Sequence, residues 1–210
     1  VDAVERAVRD SSPLVGLTAA WALVRRRRSE SYPVILDELA RFASYGTDQL
    51  VSLCTAMGSP ALPALRAMLV DENRSSIVRT IAAEALRWMG DGGSSDEAAR
   101  LLRESEDREL RAAVLRLLRR IGRSEHAEAI REFAGHEDEV LRLHALAALG
   151  RLGDASDLEL LRAGLEDPST WVARRAAIAL AELGFSGVLE GLIESGHHRS
   201  ELARQMLPAH

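Results

Sequence analysis

Glycine returns at a fixed interval along this chain. Gly58, Gly90, Gly122, Gly153 and Gly184 follow one another at steps of 32, 32, 31 and 31 residues. Each closes an amphipathic run, including IVRTIAAEALRWMG, ELRAAVLRLLRRIG, VLRLHALAALGRLG and WVARRAAIALAELG. Aligned on the opening apolar residue, the runs form columns. Four residues in stand Leu50, Ala82, Val114, Ala145 and Ala176; seven in, Leu53, Ala85, Leu117, Ala148 and Ala179. Eight in stand Cys54, Leu86, Leu118, Leu149 and Leu180; eleven in, Met57, Met89, Ile121, Leu152 and Leu183. Those offsets describe one face of a 3.6-period helix. One step further back, Leu14, Thr18, Trp21 and Ala22 are expected in the same columns.

Shorter amphipathic segments alternate with these runs, at 2–9, 33–44, 61–70, 95–104, 125–134, 156–165 and 187–195. Ser12-Pro13, Ser59-Pro60 and Asp167-Pro168 each read as a capping side chain before a first-turn proline. The glycine column reads as left-handed helix closure. No hairpin dipeptide separates alternating apolar runs, so strands are not expected. A helix pair of about thirty residues cannot bury its own apolar face, so copies must stack. The expected fold is an all-α, right-handed α-α superhelix of six to seven helix pairs with a concave and a convex side. It forms one repeat domain over 1–210, with divergent repeats at 1–45, regular ones at 46–195 and a closing cap at 196–210.

Composition narrows the chemistry. With 47% apolar and 28% charged residues over 210 positions, the chain can bury a core and is not disordered. A single cysteine excludes a disulfide scaffold or a Cys-rich metal module. A formal net charge of −5 argues against a dedicated nucleic-acid binder. Arginine supplies all 27 basic positions, without one lysine, as the codon usage of a GC-rich genome would give. Abundant arginine is therefore weak evidence of a selected anion site.

The repeated units resemble the HEAT repeat, in the short bacterial form named after phycobilisome lyases. The pattern D-x-x-V-R-x-x-A-A-x-A-L-x-x-L-G stands here as Val78-Arg79 with Ala82, Ala83, Ala85, Leu86 and Gly90. It recurs as Asp107, Leu110-Arg111, Ala113, Leu117, Leu118 and Gly122, then as Asp138, Leu141-Arg142, Ala145, Ala148, Leu149 and Gly153. The last copy departs, with Ala173 at the arginine position and Arg174 one later. The resemblance implies an armadillo-type solenoid in which Arg79, Asp107, Arg111, Asp138 and Arg142 form a structural ladder between adjacent repeats. It says little about function, because such folds serve as scaffolds, lyase subunits and enzymes alike.

Candidate chemistry is sparse. Cys54 lies in a core column near a helix C-terminus, where the dipole opposes a thiolate. His126, His136, His144, His197, His198 and His210 form no His-x-x-x-His or His-Glu-x-x-His pair. The lone His136-Glu137 dipeptide cannot supply the di-iron site of deoxyhypusine hydroxylase, a HEAT-like enzyme holding metal through several such dipeptides. No catalytic residue, metal or cofactor is expected. HEAT-like enzymes that remove alkylated DNA bases work from a cationic groove with aromatics. Here Trp21 reads as core, Trp171 as preceding a helix, and only Trp88 as lying off the core face, so DNA binding is a minor alternative.

The expected function is a non-catalytic protein–protein scaffold, with a lyase-like or enzymatic subunit handling a small molecule or tetrapyrrole as the alternative. Residues 100–123 carry eight arginines against Glu104, Glu106, Asp107 and Glu109. Glu84, Arg87, Trp88, Arg116, Arg119, Arg120 and Arg151 form the candidate surface for an acidic or helical partner segment, as an aromatic ringed by arginine suits an interface anchor. Arg25 to Arg28 favour the helix C-terminal dipole, and a weak contact with anionic membrane is the sharper reading. Residues 13–24 are too few to cross a bilayer. A cytoplasmic location is expected; opening at Val1 rather than Met reads as the soluble portion of something longer, with an upstream membrane anchor as one arrangement.

Overall fold

A computed structural model describes residues 3–207, and within them every regular element is helical. The start of segment 2–9, the end of the cap at 196–210, Val1 and His210 lie outside the described residues. The chain divides into two compact units, Val1–Glu97 and Ala98–His210. The first holds α1 (Ala3–Ala7), α2 (Pro13–Arg25), α3 (Tyr32–Asp37), α4 (Leu39–Phe42), α5 (Thr47–Met57), α6 (Leu62–Val70) and α7 (Ser76–Met89). The division falls within α8 (Ser95–Glu104). The second holds α9 (Arg108–Ile121), α10 (Ala127–Ala134), α11 (Glu139–Leu152), α12 (Leu158–Leu165), α13 (Thr170–Glu182), α14 (Ser186–Glu194) and α15 (Ser200–Met206). In each unit hairpins stack through their long helices: α5 lies on α7 in one, and α9, α11 and α13 pack in succession in the other.

The apolar columns are the core. Leu50, Ala82, Val114, Ala145 and Ala176 are buried, as are Cys54, Leu86, Leu118, Leu149 and Leu180. The first copy is the exception. Leu14 and Thr18 face solvent, while Leu17, Ala20 and Val24 are buried and Trp21 is half-buried. Its register is therefore one residue earlier, at 13, 17, 20, 21 and 24, so the step to α5 is longer than a fixed 32-residue interval allows.

Two expectations about the helix ends need correction. Gly58, Gly90 and Gly184 do have positive φ, at 69°, 68° and 82°. Gly122 and Gly153 are extended, with φ of −63° and −74°. They are glycines for lack of room: a Cβ on Gly122 would stand 2.6 Å from Leu118 O and 2.8 Å from Leu152 Cδ1. The proline dipeptides mark helix starts, but none of their side chains caps. Pro13 opens α2 without a bond from Ser12, and Ser59-Pro60 lies in a 3-10 turn before α6. Asp167 instead accepts from Ser169 N, and Ser169 is the N-cap of α13. The side-chain caps of α9 and α11 are Asp107 and Asp138, accepting from Leu110 N and from Val140 and Leu141 N.

Close approach of the long helices depends on small residues. Gly150 of α11 faces Ala179 of α13, and an added Cβ would stand 2.9 Å from both Cα and Cβ of that alanine. Ala is the better helix former by about 1 kcal/mol, but overpacking a tight core costs roughly 1–3 kcal/mol. Gly150→Ala is therefore expected to lower the thermal unfolding midpoint despite its helix propensity, as followed by circular dichroism. A raised midpoint would show that the contact relaxes freely.

Candidate functional site

In the first unit, α5 and α7 leave an open groove. Trp88 stands at its edge, 64% exposed, a large apolar ring left in water on the last turn of α7. Asp48, Val51, Ser52, Thr55 and Ala56 of α5 complete the lining of a groove of about 520 Å3. Val51 and Ala56 give its wall apolar surface, and Ser52 and Thr55 stand where α7 and α9 carry Glu84, Arg116, Arg87 and Arg119. Arg87 lies over the Trp88 ring, 4.5 Å from its centroid, and its Nε donates to Glu84 Oε2 at 2.7 Å. That bond holds the guanidinium in place beside the indole, a cation–π arrangement. Glu84 is buried, so it supports Arg87 from beneath and offers no surface of its own.

Arg116, Arg119, Arg120 and Arg151 belong to the second unit. Three of them are engaged within it. Arg116 Nη1 donates to His144 Nε2 at 3.0 Å, Arg119 pairs with Glu182 at 3.7 Å, and Arg151 Nη1 donates to Gly122 O at 3.1 Å. Glu182 also pairs with the largely buried Arg175, whose pKa is pulled down first by burial. Arg120 is exposed and makes no ion pair among the described residues. Trp171, read from sequence as preceding its helix, lies in the first turn of α13 and is 68% exposed. Trp88 is thus not the sole tryptophan off the core.

The expected ladder separates into distinct interactions. Arg142 bridges to the next hairpin: its Nε and Nη2 donate to Asp167 at 2.7 and 3.0 Å, and its Nη1 donates to His136 O and Glu137 O. Arg108, outside the expected set, reaches Asp138 in the same sense. Arg111 lies 5.3 Å from the Phe133 ring centroid, and Arg79 donates to Leu69 O within its own hairpin. Asp107 caps α9. Two further bridges were missed from sequence: Arg66 to Asp91 and Arg131 to Asp157, each joining an outer helix to the following turn. Their partners lie 25 and 26 residues apart, short of the repeat interval, so column alignment does not pair them.

Cys54 is wholly buried, and burial pushes its thiol up to about 12. Arg25 to Arg28 are exposed at the end of α2, with Arg28 paired to Glu30. No single helix among the described residues is long and apolar enough to cross a membrane.

Stacked helical hairpins of this kind define the α-helical repeat class. Residues 95–182 match the family model of HEAT repeats. A chain in the complex of CpcE and CpcF of phycocyanin lyase from Nostoc sp. PCC7120 is similar at 21% identity and a TM-score of 0.55, over 91% of this chain and 69% of that one. An engineered protein matches at 20% identity and a TM-score of 0.53, over 99% and 96% of the two chains. A designed armadillo repeat protein matches at 18% identity and a TM-score of 0.53, over 98% of each. These likenesses are of fold. No curated protein matches the chain.

Asp167 is held below the usual carboxylate range. Burial, the largest single influence, pushes it up, but is outweighed by Arg142, the Ser169 N–H and Arg199 together. A depressed acid contributes stability above its unfolded pKa of about 3.9 and loses it as pH falls through the folded value. Arg142→Met removes two charged donors from Asp167, which keeps the Ser169 N–H, at a cost of about 1.5–3 kcal/mol at pH 7. In urea unfolding the gap from wild type should narrow as pH falls below about 4. There the unfolded chain's Asp167 begins to take up a proton while the native pair still holds it off, and the narrowing should go on down to the lower folded value. A gap constant with pH would assign the loss to Arg142's carbonyl bonds alone. Cys54 should resist alkylation in the folded chain at pH 8 and react once unfolded; fast native labelling would contradict its burial.

Proposed function

We propose that the chain is a non-catalytic protein–protein interaction module, acting in the cytoplasm, in which the α5–α7 groove receives an apolar side chain from a helical or extended partner segment. The observation that carries this reading is the juxtaposition of a 64% exposed tryptophan with an apolar-walled groove. Tryptophan is the residue most enriched among interface anchors, and arginine and tyrosine follow. Arg87 supplies the cationic half of that pairing. An acidic partner is the lesser part of the proposal, because most arginines of the second unit's candidate set already have internal acceptors. The non-catalytic reading is supported by the one thiol, Cys54, which is wholly buried and pushed up to about 12.

A photo-crosslinker at Ser52, exposed on the groove wall, should trap one dominant protein in cells. Trp88→Ala should then weaken that partner's affinity by at least roughly ten-fold. The fold should be unchanged, since the ring is largely in water. Trp171→Ala should leave the affinity unaltered. Equal affinity of wild type and Trp88→Ala would reject the groove as the interface.

A second reading has one observation in its favour: about 520 Å3 lies within the size range of small-molecule sites. A tetrapyrrole or other planar ligand stacked on Trp88 would make this chain a lyase-like subunit. A thermal-shift screen that finds one ligand class, with the shift abolished by Trp88→Ala, would favour it over the partner segment.

A further inference from the structure

The second unit gathers three metal-ligating side chains that neither the repeat pattern nor the groove uses. Glu166 lies in the turn between α12 and α13; His197 and His198 lie in the turn between α14 and α15. His198 Nε2 is 3.3 Å from Glu166 Oε2, and His197 Nε2 is 3.7 Å from Glu166 Oε1. One donor atom from each of the three residues falls within 4.8 Å of the other two. The imidazoles lean together with centroids 4.2 Å apart at 40°. Donors on a tetrahedral zinc ion at bond lengths near 2.0–2.1 Å stand about 3.3 Å from one another. The His198–Glu166 separation already has that value, and the His197–Glu166 separation, to the other carboxylate oxygen, is longer at 3.7 Å.

The backbone beneath is held in register. Arg199 Nη2 donates to Asp167 O at 2.8 Å, tying the histidine turn to the residue beside Glu166. Asp167 is in turn fixed by its two bonds from Arg142. These bonds fix the two turns relative to one another without touching a ligand side chain. All three ligands are partly exposed, which leaves a fourth position for water.

We propose that Glu166, His197 and His198 bind a divalent transition-metal ion of the zinc(II) type, clipping the α14–α15 turn to the α12–α13 turn. Two neutral imidazoles and one carboxylate form a borderline nitrogen-rich set, which favours zinc, nickel or copper over magnesium or calcium. Arg199 N donates to His197 Nδ1 at 3.2 Å, a long bond. Coordination through Nε2 moves the ring proton to Nδ1 and exchanges that bond for the metal.

The test uses the whole chain without a histidine tag, stripped by chelator and titrated with zinc chloride at pH 7.5 against a chromophoric competitor. The expected result is uptake of one equivalent, a raised thermal midpoint and a shift of the Arg199 amide resonance. His198→Ala and Glu166→Gln should each weaken binding by roughly 10–100-fold or more, since a lost ligand matters at least as much as a lost outer-shell partner. His136→Ala should bind as wild type does. Binding should weaken as pH falls, because protons compete with the metal for its ligands. Should a variant fail to fold, the visible spectrum of a cobalt(II) complex of the wild type reports the nitrogen–oxygen ligand set directly. Less than one equivalent bound, or affinity unchanged in both ligand variants, would overturn the proposal.

Discussion

No hairpin in this chain can bury its own apolar face, and every other property follows from how neighbours supply that burial. The contact is between backbones as much as side chains. Ala145, Ala148, Ala176 and Ala179 let α11 and α13 approach, and Gly150 removes the last obstructing carbon. Dispersion falls off steeply with separation, so small residues at the seam gain more by closeness than larger ones would by their own area. The constraint also divides each long helix. Columns 4, 5, 7 and 8 are buried in every regular copy, and chemistry varies on the opposite face, where Ser52, Trp88, Arg119 and Arg120 are exposed. The groove beside Trp88 arises there, where α5 has small side chains and α7 a large one.

The arginines follow a second rule. In a chain whose only basic side chain is arginine, each guanidinium brings several donors that need acceptors wherever it is even partly covered. Most find them internally. Arg142 binds Asp167 and two carbonyls, Arg131 binds Asp157, Arg66 binds Asp91, and Arg151 binds Gly122 O. A run of arginines in sequence is thus a poor measure of available positive charge. The planar fork serves as a structural connector between turns, and its specificity comes from bidentate geometry. Asp167 shows the balance: burial pushes its carboxyl up, and Arg142, the Ser169 N–H and Arg199 together bring it below the usual carboxylate range.

How much could be read beforehand depended on whether information was periodic. The long helices and their buried columns were legible because a fixed interval with a 3.6-residue period admits few alternatives. The register of α2 was not, because one additional residue before α5 shifts the whole face, and Thr18 and Leu14 moved from core to solvent. Gly122 and Gly153 were placed correctly but explained wrongly: sequence cannot separate a glycine required by φ from one required by a neighbour's Leu152. Ser52, Thr55 and Ala56 stand where α7 and α9 carry Glu84, Arg87, Trp88, Arg116, Arg119 and Arg120. In α11 and α13, however, Ala147, Gly150, Ile178 and Ala181 fill the Ser52 and Thr55 columns, so uncharged residues there did not single out the groove. The Glu166–His197–His198 group left no trace. Its members are brought together by the stacking of two hairpins, and no local spacing encodes that.

Exposure alone does not distinguish a binding residue, and the tryptophans show why. Trp171 is more exposed than Trp88, so an argument from unburied apolar area would favour Trp171. What separates them is the surroundings. Trp88 adjoins a concavity with apolar walls and is braced by Arg87, itself braced by the buried Glu84. A partner side chain entering there loses water on several sides at once, whereas a contact with an isolated ring desolvates one face. The ring is also held before any partner arrives, so less rotamer freedom is lost on association. Concavity and preorganisation, rather than exposed area, are what favour α5 and α7 in the proposed interaction.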